Sequence, residues 1–102
     1  MAVLHTINKS PFERHALTAC LRVAQPGAGV LLIEDGVFAV RCGTKVADIV
    51  HEAMRSLSFY ALGPDLQARG VMPEQVINGV RIVDYDGFVD LTIEYHCVQA
   101  WL

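Results

Sequence analysis

Val30-Leu31-Leu32-Ile33, four consecutive apolar residues that run into Glu34-Asp35-Gly36-Val37, is the stretch that most constrains this chain. A strand covered on one face alternates apolar and polar residues, whereas a strand covered on both faces can be apolar throughout. The stretch therefore reads as a buried parallel strand with its exit turn, flanked by helices on both sides. Asp35-Gly36 can also turn a hairpin. Phe38-Ala39-Val40-Arg41-Cys42 lacks clear alternation, however, and leads into a helical pattern, which favours a crossover.

The remaining elements follow from local signals. Val3-Leu4-His5-Thr6-Ile7 is short and β-prone and reads as the first strand. Ser10-Pro11-Phe12-Glu13 has the form of a capping box with proline at the first helical position, so it predicts a helix from there to about Ala24. On a helical wheel Phe12, Ala16, Leu17, Cys20, Leu21, Val23 and Ala24 share one broad arc opposite Arg14, Thr18 and Arg22. Gln25-Pro26-Gly27-Ala28-Gly29 ends that helix. Gly27-x-Gly29 precedes a strand, whereas a dinucleotide fingerprint follows one, so no nucleotide cofactor is implied.

From Thr44 the spacing of Val46, Ile49, Val50, Ala53 and Met54 predicts a second helix. Leu57–Leu62 reads as a third strand, and Gly63-Pro64-Asp65 opens a short helical turn that Gly70 closes. Pro73 and Asn78-Gly79 mark a loop, and Val80–Val83 reads as a fourth strand. Asp84 can cap a helix over Asp86–Glu94. Cys97–Leu102 reads as an edge strand, with Trp101-Leu102 tied down by packing. Strands alternating with helices and joined by short right-handed crossovers predict an α/β fold: a small, open, mainly parallel sheet of about five strands with helices on both faces.

A length of 102 residues makes one small domain, 1–102, that buries roughly 60 to 70% of its unfolded surface. The net charge of -3 and eight scattered Lys and Arg form no basic stripe, so direct nucleic-acid contact is not expected. The 53% hydrophobic content is high for a small domain, yet no run approaches the roughly 18 residues of a membrane span. The surplus points to surface buried against partner subunits. Met1–His5 carries no basic-then-apolar signal, which places the chain in the cytoplasm. Cys20, Cys42 and Cys97 are odd in number and lack Cys-x-x-Cys spacing, so free thiols are expected and neither a disulfide framework nor a zinc site.

Ligands in open α/β sheets favour the carboxyl ends of strands. Here those ends are acidic: Glu34 with Asp35, Asp65, and Asp84 with Asp86. Paired carboxylates can hold Mg²⁺ or exchange protons, but turns and caps use the same residues, and that reading is preferred. His5 reads as a hydrogen-bonded core residue, and His15, His51 and His96 as surface residues. No Gly-x-Ser-x-Gly turn occurs. Cys20 remains the candidate chemical residue. Its neighbours at three and four residues are Ala16, Leu17, Val23 and Ala24, with no cation among them, and it sits in the half of its helix where the dipole disfavours a thiolate.

With these residues laid out, the chain resembles the DsrH/TusB family of sulfur relay proteins along nearly its whole length. The resemblance rests on Leu4-His5-Thr6 followed by Ser10-Pro11, on Leu31–Val37, and on Tyr60-Ala61-Leu62 with Asp65-Leu66-x-Ala68-Arg69-Gly70. It extends to Val83-Asp84-Tyr85-x-x-Phe88-Val89-x-Leu91 and Gln99-Ala100-Trp101. It implies a Rossmann-like, DsrEFH-like subunit of a cytoplasmic heterohexamer with DsrE/TusD-type and DsrF/TusC-type partners, exchanging persulfide sulfur with a DsrC/TusE-like carrier. The main acceptor cysteine then lies on the DsrE/TusD-type partner. DsrH members from sulfur oxidisers carry a cysteine in the first helix that Cys20 matches, and TusB-type members commonly lack it. The resemblance thus tilts toward sulfur oxidation with Cys20 as a reachable, auxiliary persulfide carrier. The alternatives are a TusB-type subunit relaying sulfur for 2-thiouridine at the tRNA wobble position, or a purely structural subunit. No cofactor or metal is implied, and Cys42 and Cys97 match no family motif.

Overall fold

The computed structural model describes residues 2–102. Five strands, β1 (Val3–Ile7), β2 (Gly29–Leu32), β3 (Ser58–Leu62), β4 (Arg81–Val83) and β5 (Cys97–Trp101), form one sheet in the order β4-β3-β2-β1-β5. Every pairing is parallel. Strand β2 is central, and all four of its residues are buried. Its side chains divide between two cores: Val30 and Leu32 join Ile7, Phe59 and Ala61 in the larger, and Leu31 joins Leu4, Tyr60, Leu62 and Val83 in the smaller. Cover on both faces accounts for the unbroken apolar run.

The connections explain why the two cores differ in size. The first three crossovers step from β1 to β4 in one direction and pack on one face. They carry α1 (Ala16–Val23), a 3₁₀ segment (Glu34–Val40), α2 (Ala47–Ala53) and α3 (Gly63–Ala68). Leu17 and Cys20, then Val37 and Val40, Val50, and Leu66 fill the larger core from these elements. The last crossover runs back across the whole sheet, so α4 (Tyr85–Glu94) alone supplies a helix to the other face, through Leu91 and Phe88. Asp84 caps it, its Oδ1 accepting from Gly87 N at 2.8 Å, as its position before the apolar pattern predicts.

Three local expectations are corrected. Ser10 does not launch a helix: its hydroxyl accepts from Phe12 N at 3.2 Å, two residues on, and its carbonyl accepts from Glu13 N and Arg14 N. That arrangement closes a single turn, a competing use of serine, and α1 starts only at Ala16. Phe12 is accordingly 52% exposed and lies outside the apolar arc. The residues after β2 form a 3₁₀ segment longer than the expected exit turn, which carries Val37 and Val40 under α2. Ile49 is exposed, because the short α2 meets the core through Ala47, Val50, Ala53 and Met54.

Candidate functional site

Cys20, the residue singled out by the sequence, lies on α1 with no exposed surface, within the core cluster that holds Leu17, Ala28 and Val30. Burial pushes its thiol pKa up to about 11. At neutral pH that leaves roughly one thiolate in ten thousand, against a few per cent for an ordinary cysteine. In the folded subunit by itself the thiol that the sequence reading expects to be reachable is enclosed: Leu17 and Cys20 of the α1 arc are buried, while Val23 of the same arc is 55% exposed. Cys42 and Cys97 are exposed, and all three cysteines are free. Cys42 lies in the loop before α2, its N–H bonded to Gln75 O at 2.7 Å. Cys97 opens β5 opposite Val3. Among the described residues, no group of three or more His, Cys, Asp or Glu side chains is arranged to hold a metal ion.

The acidic rim at the carboxyl ends of β2 and β3 is used internally. Asp65 Oδ2 accepts from Glu34 N at 2.7 Å. Arg69 Nε donates to Asp35 Oδ1 at 2.8 Å, and Arg69 Nη1 stands 3.8 Å from Asp65 Oδ1. This clasp joins α3 to the 3₁₀ segment and holds Glu34 at φ 49°, a left-handed conformation that a residue with a Cβ seldom adopts. Two positions on, Gly36 lies so close to β1 that any Cβ would meet the carbonyl oxygen of Ile7. The carboxylates are thus turn and clasp residues, as the preferred sequence reading holds. Arg69 pairs with Asp65 at the local helix spacing of four residues, whereas its other partner, Asp35, lies 34 residues away and carries no local signal of that role.

Two aromatic contacts secure the sheet where the sequence showed only single residues. Trp101 Nε1 donates to His5 Nδ1 at 3.1 Å, which makes His5 the hydrogen-bonded core residue expected, while His15, His51 and His96 are on the surface. Burial holds the His5 pKa below its ordinary value. On the smaller core, the Tyr60 and Tyr95 hydroxyls meet at 2.9 Å. Burial first, then the bond and the charge of Tyr60, raise the Tyr95 pKa. The Tyr95 ring lies over Gly29, where an added Cβ would come within 2.6 Å of it. An open groove lined by Pro64, Leu66, Val71, Met72, Pro73 and Ile82 has no titratable side chain and so offers no general acid, base or nucleophile. No helix among the described residues is long and apolar enough to cross a membrane.

Comparison with known proteins places this geometry in a family. Residues 9–98 match the family model described as DsrH like protein. The curated Protein TusB of Pectobacterium parmentieri is 43% identical over 100 residues, covering 97% of this chain and all of the relative. Protein TusB of Escherichia coli strain K12 is 35% identical over 99 residues, again across 97% of this chain and all of the relative. Among solved structures, the ychN protein from E. coli superposes with a TM-score of 0.81 at 18% identity over 99% of both chains, a likeness of fold. A five-stranded parallel sheet, a family match over most of the chain and full-length relatives above 30% identity agree: this chain belongs to the DsrH/TusB family.

Proposed function

We propose that this chain is a TusB-type subunit of a cytoplasmic sulfur relay complex, positioning TusD-type and TusC-type partners that hand persulfide sulfur to a TusE-like carrier for 2-thiouridine formation in tRNA. The observation that carries the reading is the enclosure of Cys20. A relay cysteine exchanges sulfur by thiolate attack on a sulfur that the attacker can approach, and this thiol is neither ionised nor approachable in the subunit. In this reading Cys20 packs the core and the persulfide is carried by a partner's cysteine. The name shared by the full-length relatives supports the tRNA-thiolating branch over the oxidative one. A second reading, a DsrH-type subunit in sulfur oxidation with a DsrC-like carrier, is favoured by the match of Cys20 to the first-helix cysteine of that branch.

The test is expression of the chain with the TusC-type and TusD-type subunits of its own genome in a bacterium lacking its tusBCD genes. Mass spectrometry of digested tRNA then reads 2-thiouridine. Restoration that depends on this chain, and persists with Cys20→Ala, is the expected result. A complex that assembles but restores no thiouridine, and that passes sulfur to a DsrC-like protein only when Cys20 is present, would transfer the assignment to the second reading.

A further inference from the structure

Helix α4 presents two adjoining strips to solvent. Tyr85, Val89 and Ile93, four residues apart, are 60%, 56% and 77% exposed. Asp86, Asp90 and Glu94, each one residue further on, are also exposed. One residue is about 100° of helix rotation, so an apolar strip and an acidic strip climb α4 side by side. Neither strip holds the helix to its own sheet, because Phe88 and Leu91 do that from the opposite side. Scattered exposed apolar residues need no explanation, but three aligned on one helix do.

The charge around the strip is mainly acidic, with Arg81 the cation beside it. Asp84, Asp86, Asp90 and Glu94 lie in or beside α4, and no Lys or Arg follows Arg81 in the chain. Arg81 lines a groove with Asp90, Ile93 and Glu94, and it is not among the ion pairs formed by the described residues. Such a face repels nucleic acid and anionic lipid. It also disfavours a second copy of itself, since pairing two α4 helices about a two-fold axis brings acidic strips together.

We propose that α4 is a docking face for a partner protein that presents an apolar ridge flanked by lysine or arginine. The ridge covers Tyr85, Val89 and Ile93, and the flanking cations meet Asp90 and Glu94. This inference rests on the reading of the chain as a partner-bound subunit and deepens it by naming the face and the chemistry of the partner. The strip lies on the sheet face that carries only one helix, where the fold itself supplies nothing further to cover it.

The experiment co-expresses the chain with the TusC-type and TusD-type subunits of its own genome and follows assembly by size-exclusion chromatography with light scattering and by titration calorimetry. Wild type is compared with Val89→Lys/Ile93→Lys and with Asp90→Asn/Glu94→Gln, each checked for folding by circular dichroism. The lysine variant is expected to bind about 100-fold more weakly or not at all. The neutralised variant should bind about tenfold more weakly at low salt and lose most of its salt dependence. Where the lysine variant fails to fold, Val89→Ser/Ile93→Ser takes its place. Full assembly by the lysine variant overturns the docking face while leaving the proposed function standing. Unchanged affinity and salt response in the neutralised variant overturns the partner's chemistry. A homodimer of the isolated chain that the lysine variant abolishes assigns the face to a second copy and overturns the proposal. No complex with wild type sinks both the proposal and the function on which it rests.

Discussion

Trp101 Nε1 donates to His5 Nδ1 at 3.1 Å, a bond spanning 96 residues that ties the edge strand β5 to β1. Indole N–H can only donate, so His5 Nδ1 must be unprotonated and its proton sits on Nε2. The groups lining the space around His5, from Val3, Val23, Gln25 and Ala28, carry no charge. Desolvation alone therefore lowers its pKa from 6.5. The unfolded chain binds this proton more readily than the folded one, so the contribution is complete above pH 6.5 and is lost as pH falls through the lower folded value.

Trp101 is the only tryptophan, which makes the pair directly observable. Acidification through the lowered His5 pKa is expected to shift Trp101 fluorescence and to speed amide exchange over residues 97–101 before global unfolding. His5→Gln, which keeps an acceptor without a titrating group, should flatten the fluorescence change. An unchanged titration in that variant would show that the acid response comes from elsewhere.

Gly36→Ala should be among the most damaging single changes in the chain. Its Cβ would be driven into the Ile7 carbonyl, a backbone group of the interior strand β1 that cannot move aside. A loss on the order of 3 kcal/mol is expected in urea unfolding. A Gly27→Ala control meets no neighbouring atom and suffers only from its left-handed φ of 90°, so it should cost about 1 kcal/mol.

Asp65→Ala removes the acceptor for Glu34 N and one side of the Arg69 clasp. The expected loss is about 1 kcal/mol, most of it from the lost charge-assisted bond to Glu34 N, because water can reach the freed N–H. Asp35→Ala, which breaks only a half-exposed ion pair, should cost under about 1 kcal/mol and less in high salt. Equal losses at the two positions would mean that the ion pair, and not the backbone acceptor, holds the clasp.

The parts of the fold legible in the sequence are those written in neighbouring residues. The unbroken apolar run of β2 and the Asp84 cap of α4 stand where local chemistry puts them. Ser10 misled because one hydroxyl serves either a helix start or a tight turn, and the choice depends on how the chain leaves β1. The contacts that fix the site were invisible for a different reason. Asp65 with Glu34, Arg69 with Asp35 and Trp101 with His5 are separated by 31, 34 and 96 residues, and only the sheet order brings them together. The apolar wheel put Cys20 on the inner face of α1, but full enclosure needs the β strands beneath it and the Ala28 turn beside it, which no wheel contains.

The enclosure of Cys20 is tested most directly by loading the assembled complex with a persulfide donor, alkylating it under native conditions and locating modified cysteines by mass spectrometry. Cys42 and Cys97 serve as internal controls, being exposed wherever a partner does not cover them. The account predicts that Cys20 carries neither an added sulfur atom nor an alkyl group until the chain is unfolded, while persulfide accumulates on a partner subunit. Cys20→Ser should cost about 1 to 3 kcal/mol of stability and leave sulfur transfer unchanged. Persulfide on Cys20 in the folded complex, together with loss of transfer in Cys20→Ser, would contradict it.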